Sequence, residues 1–259
     1  MVTSLSADLL LLERQSEIKR RINTHDRVVA SDLAREFEVS EDTVRRDLRE
    51  LAAAGHCIRV YGGALPVRAA ETTLAERVGV DSIRKAHIAQ KMVGVIERGM
   101  FLYLDVGSTN LAAARLLPKT FDLTVATNSP LIAAALFDRE DIGLYVIGGK
   151  IDQKVGAAIG SQANREAERL RPDLCFLGAC ALDAEAGVSA FDSDDAELKR
   201  IIVANSRATL VAALNEKVGT VAAFPVLDLL SCDHLVVEAS LETSKLGALR
   251  SIKSDIILA

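Results

Sequence analysis

No apolar run in this sequence approaches the roughly 18 residues that a membrane-spanning helix needs. The longest early stretch, Leu9 to Leu12, is flanked by Asp8 and Glu13, so neither a span nor contact with a membrane is expected, and the chain is expected in the cytoplasm. Cysteine is scarce. Cys57, Cys175, Cys180 and Cys232 form no C-x-x-C pair and have no histidine at zinc-ligand spacing, which argues against a disulfide framework and a metal centre and leaves buried thiols as the expectation. A P-loop, a G-x-G-x-x-G fingerprint and an H-E-x-x-H helix are missing too, and no cofactor is expected. Aromatic residues make up only 4%, yet 49% of the 259 residues are hydrophobic and 26% charged, an ordinary globular composition with length for one large or two unequal domains.

Nor is there an excess of cations, since the net charge is −5, which on its face argues against nucleic acid. The charge is unevenly spread. Residues 1–70 hold 11 Lys and Arg against 11 Asp and Glu, and the remainder 20 against 25. Phosphate contact is local, so clustering of cations on one face decides the matter rather than the total.

Within residues 1–65 the periodicity predicts three helices. Leu11, Ile18 and Ile22 share a stripe, with Arg14, Lys19, Arg20 and Arg21 largely outside it. Ser31 is positioned as an N-cap before Leu33, Ala34 and Phe37, and Ser40 as the cap of a third helix with Glu41 and Asp42 in its first turn. In that helix Val44, Leu48 and Leu51 form the buried stripe, so Arg45, Arg46 and Arg49 point outward together. Gly55 is expected to end it. Cys57 to Tyr61 then alternates, with Ile58 and Val60 inward, Arg59 and Tyr61 outward, and Gly62-Gly63 at the turn. Such a face is either a solvated surface, Asp42 pairing with Arg45 or Arg46, or a helix that enters the major groove while flanking groups hold phosphates.

The run from Ser40 to Ala64 resembles the winged helix-turn-helix signature of the DeoR family of bacterial transcriptional regulators. Val39 to Leu48 follows the family pattern Val-Ser-x-x-Thr-x-Arg-Arg-Asp-Leu, and Arg59 to Ala64 follows Arg-Val-His-Gly-Gly-Ala, with Tyr61 in place of the usual histidine. The resemblance implies that Ser40 and Thr43 touch the DNA backbone and that Arg45, Arg46 and Arg59 reach phosphates or base edges. Arg49, Tyr61, Gly62 and Gly63 complete the expected DNA-binding set.

Residues 66–80 are read as a linker and 81–259 as an α/β domain. A long helix is expected from about Ser82 to Glu97. Strands then alternate with polar clusters and helices: Phe101 to Leu104 before Asp105-Val-Gly-Ser-Thr-Asn110, Leu123 to Ala126 before Thr127-Asn128-Ser129, Leu144 to Ile147 before Gly148-Gly149-Lys150, and Leu174 to Leu177 before the segment ending at Asp183. A helix near Asp194 to Ser206 carries Lys199, Thr209 to Ala213 precedes Lys217, and His234 to Val237 is read as the final strand. In an open parallel sheet the strand ends collect at one edge, where ligands bind. Gly107, Ser108 and Thr109 suit an anion beside a helix start, although Ser and Thr are equally the ordinary caps of such turns.

The same family's sensor domain carries Asp-x-Gly-Ser-Thr, Thr-Asn-Ser, Gly-Gly, Phe-Leu-Gly and Lys-Arg, which stand here at Asp105 to Thr109, Thr127 to Ser129, Gly148-Gly149, Phe176 to Gly178 and Lys199-Arg200. The resemblance implies a Rossmann-like α/β sensor domain, similar to ribose phosphate isomerase and CoA transferase folds, after the winged helix-turn-helix domain. It further implies a repressor of a sugar catabolic operon, with double-stranded operator DNA and a phosphorylated sugar as partners, acting as a homo-oligomer, dimer or tetramer. Asp105, Gly107, Ser108, Thr109, Thr127, Asn128, Ser129, Gly148, Gly149, Lys150, Asp183, Lys199 and Lys217 are the expected effector set. Departures occur at Leu214 to Lys217, where Asp-x-Ser-Lys is common, and at Val237-Glu238, where Thr-Asp is frequent. The rival reading is a sugar phosphate isomerase with an accessory DNA-binding domain, using Asp105 as base, Asp183 as orienter and Lys217 as the electrostatic stabiliser. The match of the DNA module favours a regulator without catalytic residues.

Overall fold

The computed structural model describes residues 2–25, 28–54, 56–60, 62–66 and 72–259, and the chain divides into two units, Met1–Thr72 and Thr73–Ala259. The first unit runs α1 (Val2–His25), β1 (Val28–Val29), α2 (Ala30–Glu36), α3 (Glu41–Ala53), β2 (Cys57–Val60) and β3 (Gly63–Pro66). Its core joins Ile18 and Ile22 of α1 to Leu33 and Ala34 of α2 and to Val44, Leu48 and Leu51 of α3, the stripes expected from the sequence. Ser40 caps α3, its Oγ accepting from the Thr43 N–H at 3.1 Å.

Ser31 does not cap α2. That helix begins at Ala30, and the Ala30 N–H donates instead to the Gly62 carbonyl at 2.8 Å, so a tertiary contact satisfies a group that a local cap was expected to serve. The wing has three strands in the order β1-β3-β2, with Val28 opposite Ala64. Two residues are too short a segment for β1 to show a period. Gly55, Tyr61 and the side chains of Ile58 and Val60 lie outside the described residues.

The second unit comprises α4 (Leu74–Gly79), α5 (Ser82–Val93), β4 (Phe101–Leu104), α6 (Ser108–Arg115), β5 (Leu123–Thr127), α7 (Pro130–Leu136), β6 (Ile142–Val146), β7 (Ile151–Asp152), β8 (Ala157–Ala158), α8 (Ser161–Ala167), β9 (Leu174–Gly178), β10 (Ala181–Asp183), β11 (Gly187–Ala190), α9 (Ser193–Asn205), β12 (Ala208–Ala213), β13 (Phe224–Leu227), β14 (His234–Val237), α10 (Thr243–Ile252) and β15 (Ile256–Leu258). The segment Leu74–Gly79, read from the sequence as linker, is thus a helix of this unit. Thr73 and Glu76 form a reciprocal capping box at its start, and Leu74 is buried.

Seven parallel strands form the sheet in the order β15-β14-β12-β9-β4-β5-β6. From β4 the chain builds outward through β5 and β6, then returns to place β9 on the other side of β4, so the order reverses between β4 and β9. Both faces are covered, as a parallel sheet requires. Leu102, Leu104, Val125, Phe176 and Val236 pack under Ile88, Met92, Leu111 and Ile132 of α5, α6 and α7. Tyr103, Cys175, Leu177, Val211 and Leu235 pack under Ala163, Leu198, Ile202 and Leu249 of α8, α9 and α10.

His234 to Val237 is not the final strand, because β15 adds parallel to β14 through Leu235 and Ile256. Its three residues give the periodicity little to register. The antiparallel sheet β10-β11-β13 and the pair β7-β8 were also outside the sequence reading. No described helix is long and apolar enough to cross a membrane.

Candidate nucleic-acid interface and sensor crevice

The outward face of α3 carries Arg45, Arg46 and Arg49, all exposed, while Val44, Leu48 and Leu51 hold its other face in the core. Arg45 Nη2 reaches Glu41 at 2.7 Å and Arg46 Nε reaches Glu50 at 3.3 Å, both one turn away on the same helix. Exposed pairs of this kind contribute little, so exchanging these carboxylates for phosphates costs little. Thr43 Oγ1 lies 2.9 Å from Ser40 Oγ, which puts both hydroxyls at the N-terminus of α3, where the helix dipole favours an anion. Arg59 of β2 is exposed, Gly62 sits exposed in the wing turn, and Gly63 is buried opposite Val29. Tyr61 lies outside the described residues.

Asp47 holds this helix in place. It is 1% exposed on the buried stripe of α3, and Arg14 of α1 clasps it with Nε at 2.5 Å and Nη2 at 3.2 Å. Sequence reasoning had put Arg14 on the outside of α1. The signal available was Asp47 itself, three residues beyond Val44 and therefore on the apolar face, where a carboxylate requires a partner. Arg21 similarly joins α1 to Glu36 of α2 and lies over the Phe37 ring. Hydrogen bonds from Arg20 and Arg21 pull the Glu17 carboxyl down to about 2.

In the second unit the crevice lies where the strand order reverses. The Asp105 side chain, 1% exposed, bridges the β4 and β9 ends by accepting the Gly178 N–H at 2.8 Å. A Cβ at position 178 would sit 2.3 Å from the Val106 carbonyl oxygen, so only glycine lets the two ends approach this closely. Asn110, also buried, donates from Nδ2 to the carbonyls of Asp105 and Phe176, both at 2.9 Å, and stitches the same two ends. Sequence reasoning did not single it out.

Lys199 reaches this point from α9. Its Nζ lies 3.0 Å from Asp105 Oδ2 and 2.5 Å from Asp195 Oδ1, with all three side chains buried. Burial opposes the ammonium charge, but the two carboxylates outweigh it and hold Lys199 above the usual lysine range. Burial raises Asp105, against the pull of Lys199. Of the expected effector set, Asp105 and Lys199 are therefore brought together as a closed ion-pair cluster beneath the crevice.

The open groups are nearby. Gly107 precedes α6 with no side-chain cap, leaving its first-turn N–H groups facing the strand ends, with Ser108 and Thr109 partly exposed there. On the neighbouring strand, Thr127 Oγ1 donates to the Leu104 carbonyl at 2.6 Å. Asn128 exchanges hydrogen bonds with Ala158, receiving its N–H at 2.9 Å and donating from Nδ2 at 3.3 Å. Asn128 Oδ1 and Ser129 Oγ are buried and have no partner among the described residues. Unpaired buried polar atoms cost about 1–3 kcal/mol each, and these two sit beside an uncapped helix start.

The remaining expected residues are spread around this edge. Gly148 donates its N–H to Glu166 at 3.0 Å, Gly149 faces Gln162, and Lys150 is exposed. Asp183 Oδ1 accepts the N–H groups of Glu185 and Ala186 and so shapes the β10-β11 turn. Lys217 Nζ donates to the Ala179 carbonyl at 2.5 Å. Beside it, Glu216 and Glu238, where the sequence departs from the family pattern, both bind Arg84 of α5. With Asp105 locked to Lys199, the isomerase assignment has no free base at that position.

A family model described as the DeoR-like helix-turn-helix domain matches residues 14–68, and one described as the DeoR C terminal sensor domain matches residues 81–239. An uncharacterized HTH-type transcriptional regulator, FruR, of Bacillus subtilis is 33% identical over 215 residues, spanning 82% of this chain and 85% of its own. The glycerol-3-phosphate regulon repressor of Escherichia coli is 30% identical over 208 residues, spanning 80% of this chain and 82% of its own. These relatives are named as regulators and not as enzymes. Among solved structures, ribose 5-phosphate isomerase A of Methanocaldococcus jannaschii superposes with a TM-score of 0.38 at 16% identity, covering 53% of this chain and 54% of that one.

Proposed function

We propose that this chain, which belongs to the DeoR family of transcriptional regulators, represses a carbohydrate catabolic operon in the cytoplasm and releases its operator when a phosphorylated sugar binds the second unit. The first unit supplies DNA contact through Ser40, Thr43, Arg45, Arg46, Arg49 and Arg59, with Tyr61, Gly62 and Gly63 at the wing. A homo-oligomer, dimer or tetramer, sets two such units on adjacent half-sites, because one recognition helix reads too few base pairs to be selective alone.

The observation that carries the effector reading is the pairing of an uncapped α6 start with two unpartnered buried groups, Asn128 Oδ1 and Ser129 Oγ. A phosphate suits the N–H groups of residues 107–109, and sugar hydroxyls suit Asn128 and Ser129. The lysines at positions 150 and 217 are the cations of the expected set that are not committed to an ion pair among the described residues.

The test is fluorescence anisotropy on labelled DNA from upstream of the protein's own gene, against a scrambled duplex, over a salt series. Fructose 1-phosphate, glycerol 3-phosphate and ribose 5-phosphate are added in turn. Preference for the upstream DNA, with release by one of the three, is the expected result. Equal binding to both duplexes at every salt concentration overturns the operator reading.

A further inference from the structure

Leu74, the first residue of α4, touches both arms of the crevice. It is 3% exposed and forms a small apolar cluster with Val106 and Ala157, supported by Val78 and Val155. Val106 lies between Asp105 and Gly107, in the segment that leads to the uncapped α6 start. Ala157 adjoins Ala158, the residue that holds Asn128 by two hydrogen bonds. This cluster is separate from the large core on one face of the sheet and joins the other through Val78.

The contact is tight. At Gly156, where φ is +83°, an added Cβ would lie 2.6 Å from Leu74 Cβ, so the β7-β8 turn is shaped to admit this one side chain. Asp152 Oδ1 fixes that turn by accepting the N–H groups of Lys154 and Val155. The helix that Leu74 begins is held at its far end. Lys85 of α5, 6% exposed, donates from Nζ to the carbonyls of Arg77 and Val80, both at 2.5 Å. At the near end Thr73 and Glu76 form a capping box ahead of the buried Leu74. α4 is thus held by Lys85 at its C-terminal end, with Leu74 at the end that adjoins, in sequence, the boundary to the DNA-reading unit.

We propose that Leu74 is the positioning residue through which occupancy of the crevice reaches α4 and, along the chain, the DNA-reading unit. The proposal rests on the effector reading above. A ligand drawing the 107–109 and 128–129 segments together moves Val106 and Ala157, and close packing obliges Leu74 to follow or leave a void. With Lys85 as the pivot, that displacement swings the start of α4. Coupling of this kind is reciprocal, so operator DNA must in turn alter the crevice.

Two measurements on the full chain test this. In anisotropy titrations with the three sugar phosphates named above, Leu74→Ala is expected to cut the ligand-induced loss of DNA affinity at least about fivefold. DNA affinity without ligand and calorimetric ligand affinity stay unchanged, and Leu74→Met restores the response. Full response in Leu74→Ala overturns the proposal. Hydrogen exchange with and without operator DNA needs no ligand: DNA is expected to change exchange at residues 73–79 and 105–110 in the wild type and not at 105–110 in Leu74→Ala. No change at 105–110 in the wild type overturns it. If none of the sugar phosphates binds while the DNA-induced exchange persists, the effector reading falls and the coupling stands.

Discussion

Arg84 grips Glu238 with two parallel hydrogen bonds, Nε to Oε1 at 2.7 Å and Nη2 to Oε2 at 2.5 Å, at the end of β14 where the family pattern has a shorter carboxylate. Glu238 also accepts the Asn215 N–H at 2.7 Å, and Glu216 takes the same Arg84 nitrogen at 2.8 Å. The carboxylates at both departures thus meet on one cation of α5, which also lies 3.3 Å from Asp81.

Arg84→Ala is expected to destabilise the second unit by about 3 kcal/mol, the low end for a broken buried pair because Arg84 itself is partly exposed. The double variant Arg84→Ala with Glu238→Gln should recover most of that loss. Urea denaturation followed by circular dichroism checks both, and equal stability of the single variant and wild type would refute the pairing.

Lys199→Met removes the cation between Asp105 and Asp195 while keeping much of its volume. Two buried carboxylates then face each other, and a loss of about 3–5 kcal/mol is expected. Asp105→Asn should cost much less, since its side-chain oxygen still accepts the Gly178 N–H and Lys199 keeps Asp195. A reversed order in thermal melts would show that the cluster is not held by Lys199.

Arg46→Ala should weaken operator binding at least about tenfold and lower the slope of log affinity against log salt by roughly one if it meets a phosphate. Its melting temperature should match wild type, because Arg46 is exposed and, among the described residues, pairs with Glu50 alone on its own helix. Leu48→Ala on the opposite face should instead lose about 2–5 kcal/mol of stability. Undiminished DNA affinity in Arg46→Ala would move the recognition face elsewhere.

Burial pushes the Lys85 ammonium from 10.5 down to about 8. As pH falls through that window the unfolded chain takes up a proton that the folded chain does not. The Lys85 contribution to stability is therefore fully present above pH 10.5, is lost between 10.5 and 8 as pH falls, and levels off below. Lys85→Met should flatten this dependence in denaturant titrations across the window. A wild-type profile already flat there would contradict the burial of the charge.

Much of the site was legible in the sequence because periodicity and turn chemistry are local. The α3 stripe of Val44, Leu48 and Leu51 fixes the outward direction of three arginines, and each strand-to-helix turn names its own polar residues. Asp47, Asn110 and Arg84 were not legible as structural partners. Arg14 lies 33 residues from Asp47, Phe176 lies 66 from Asn110, and Glu238 lies 154 from Arg84. No spacing rule connects residues so far apart.

By itself the sequence determined the two kinds of unit, the helices and central strands, and the edge where the polar clusters collect, since these follow from apolar spacing within a few turns of chain. Only the tertiary structure decided which of those polar groups are free. Asp105 and Lys199 read as ligand contacts until the packing of α9 on the sheet closed them on each other. Asn128 and Ser129 were in the expected effector set on turn chemistry that would equally suit ordinary caps, and only the fold left Asn128 Oδ1 and Ser129 Oγ buried with no partner among the described residues. Leu74 read as linker until Val106 and Ala157 closed around it. Burial decides this: whether a polar group is satisfied, or an apolar one sheltered, depends on neighbours that the chain brings together only when it folds.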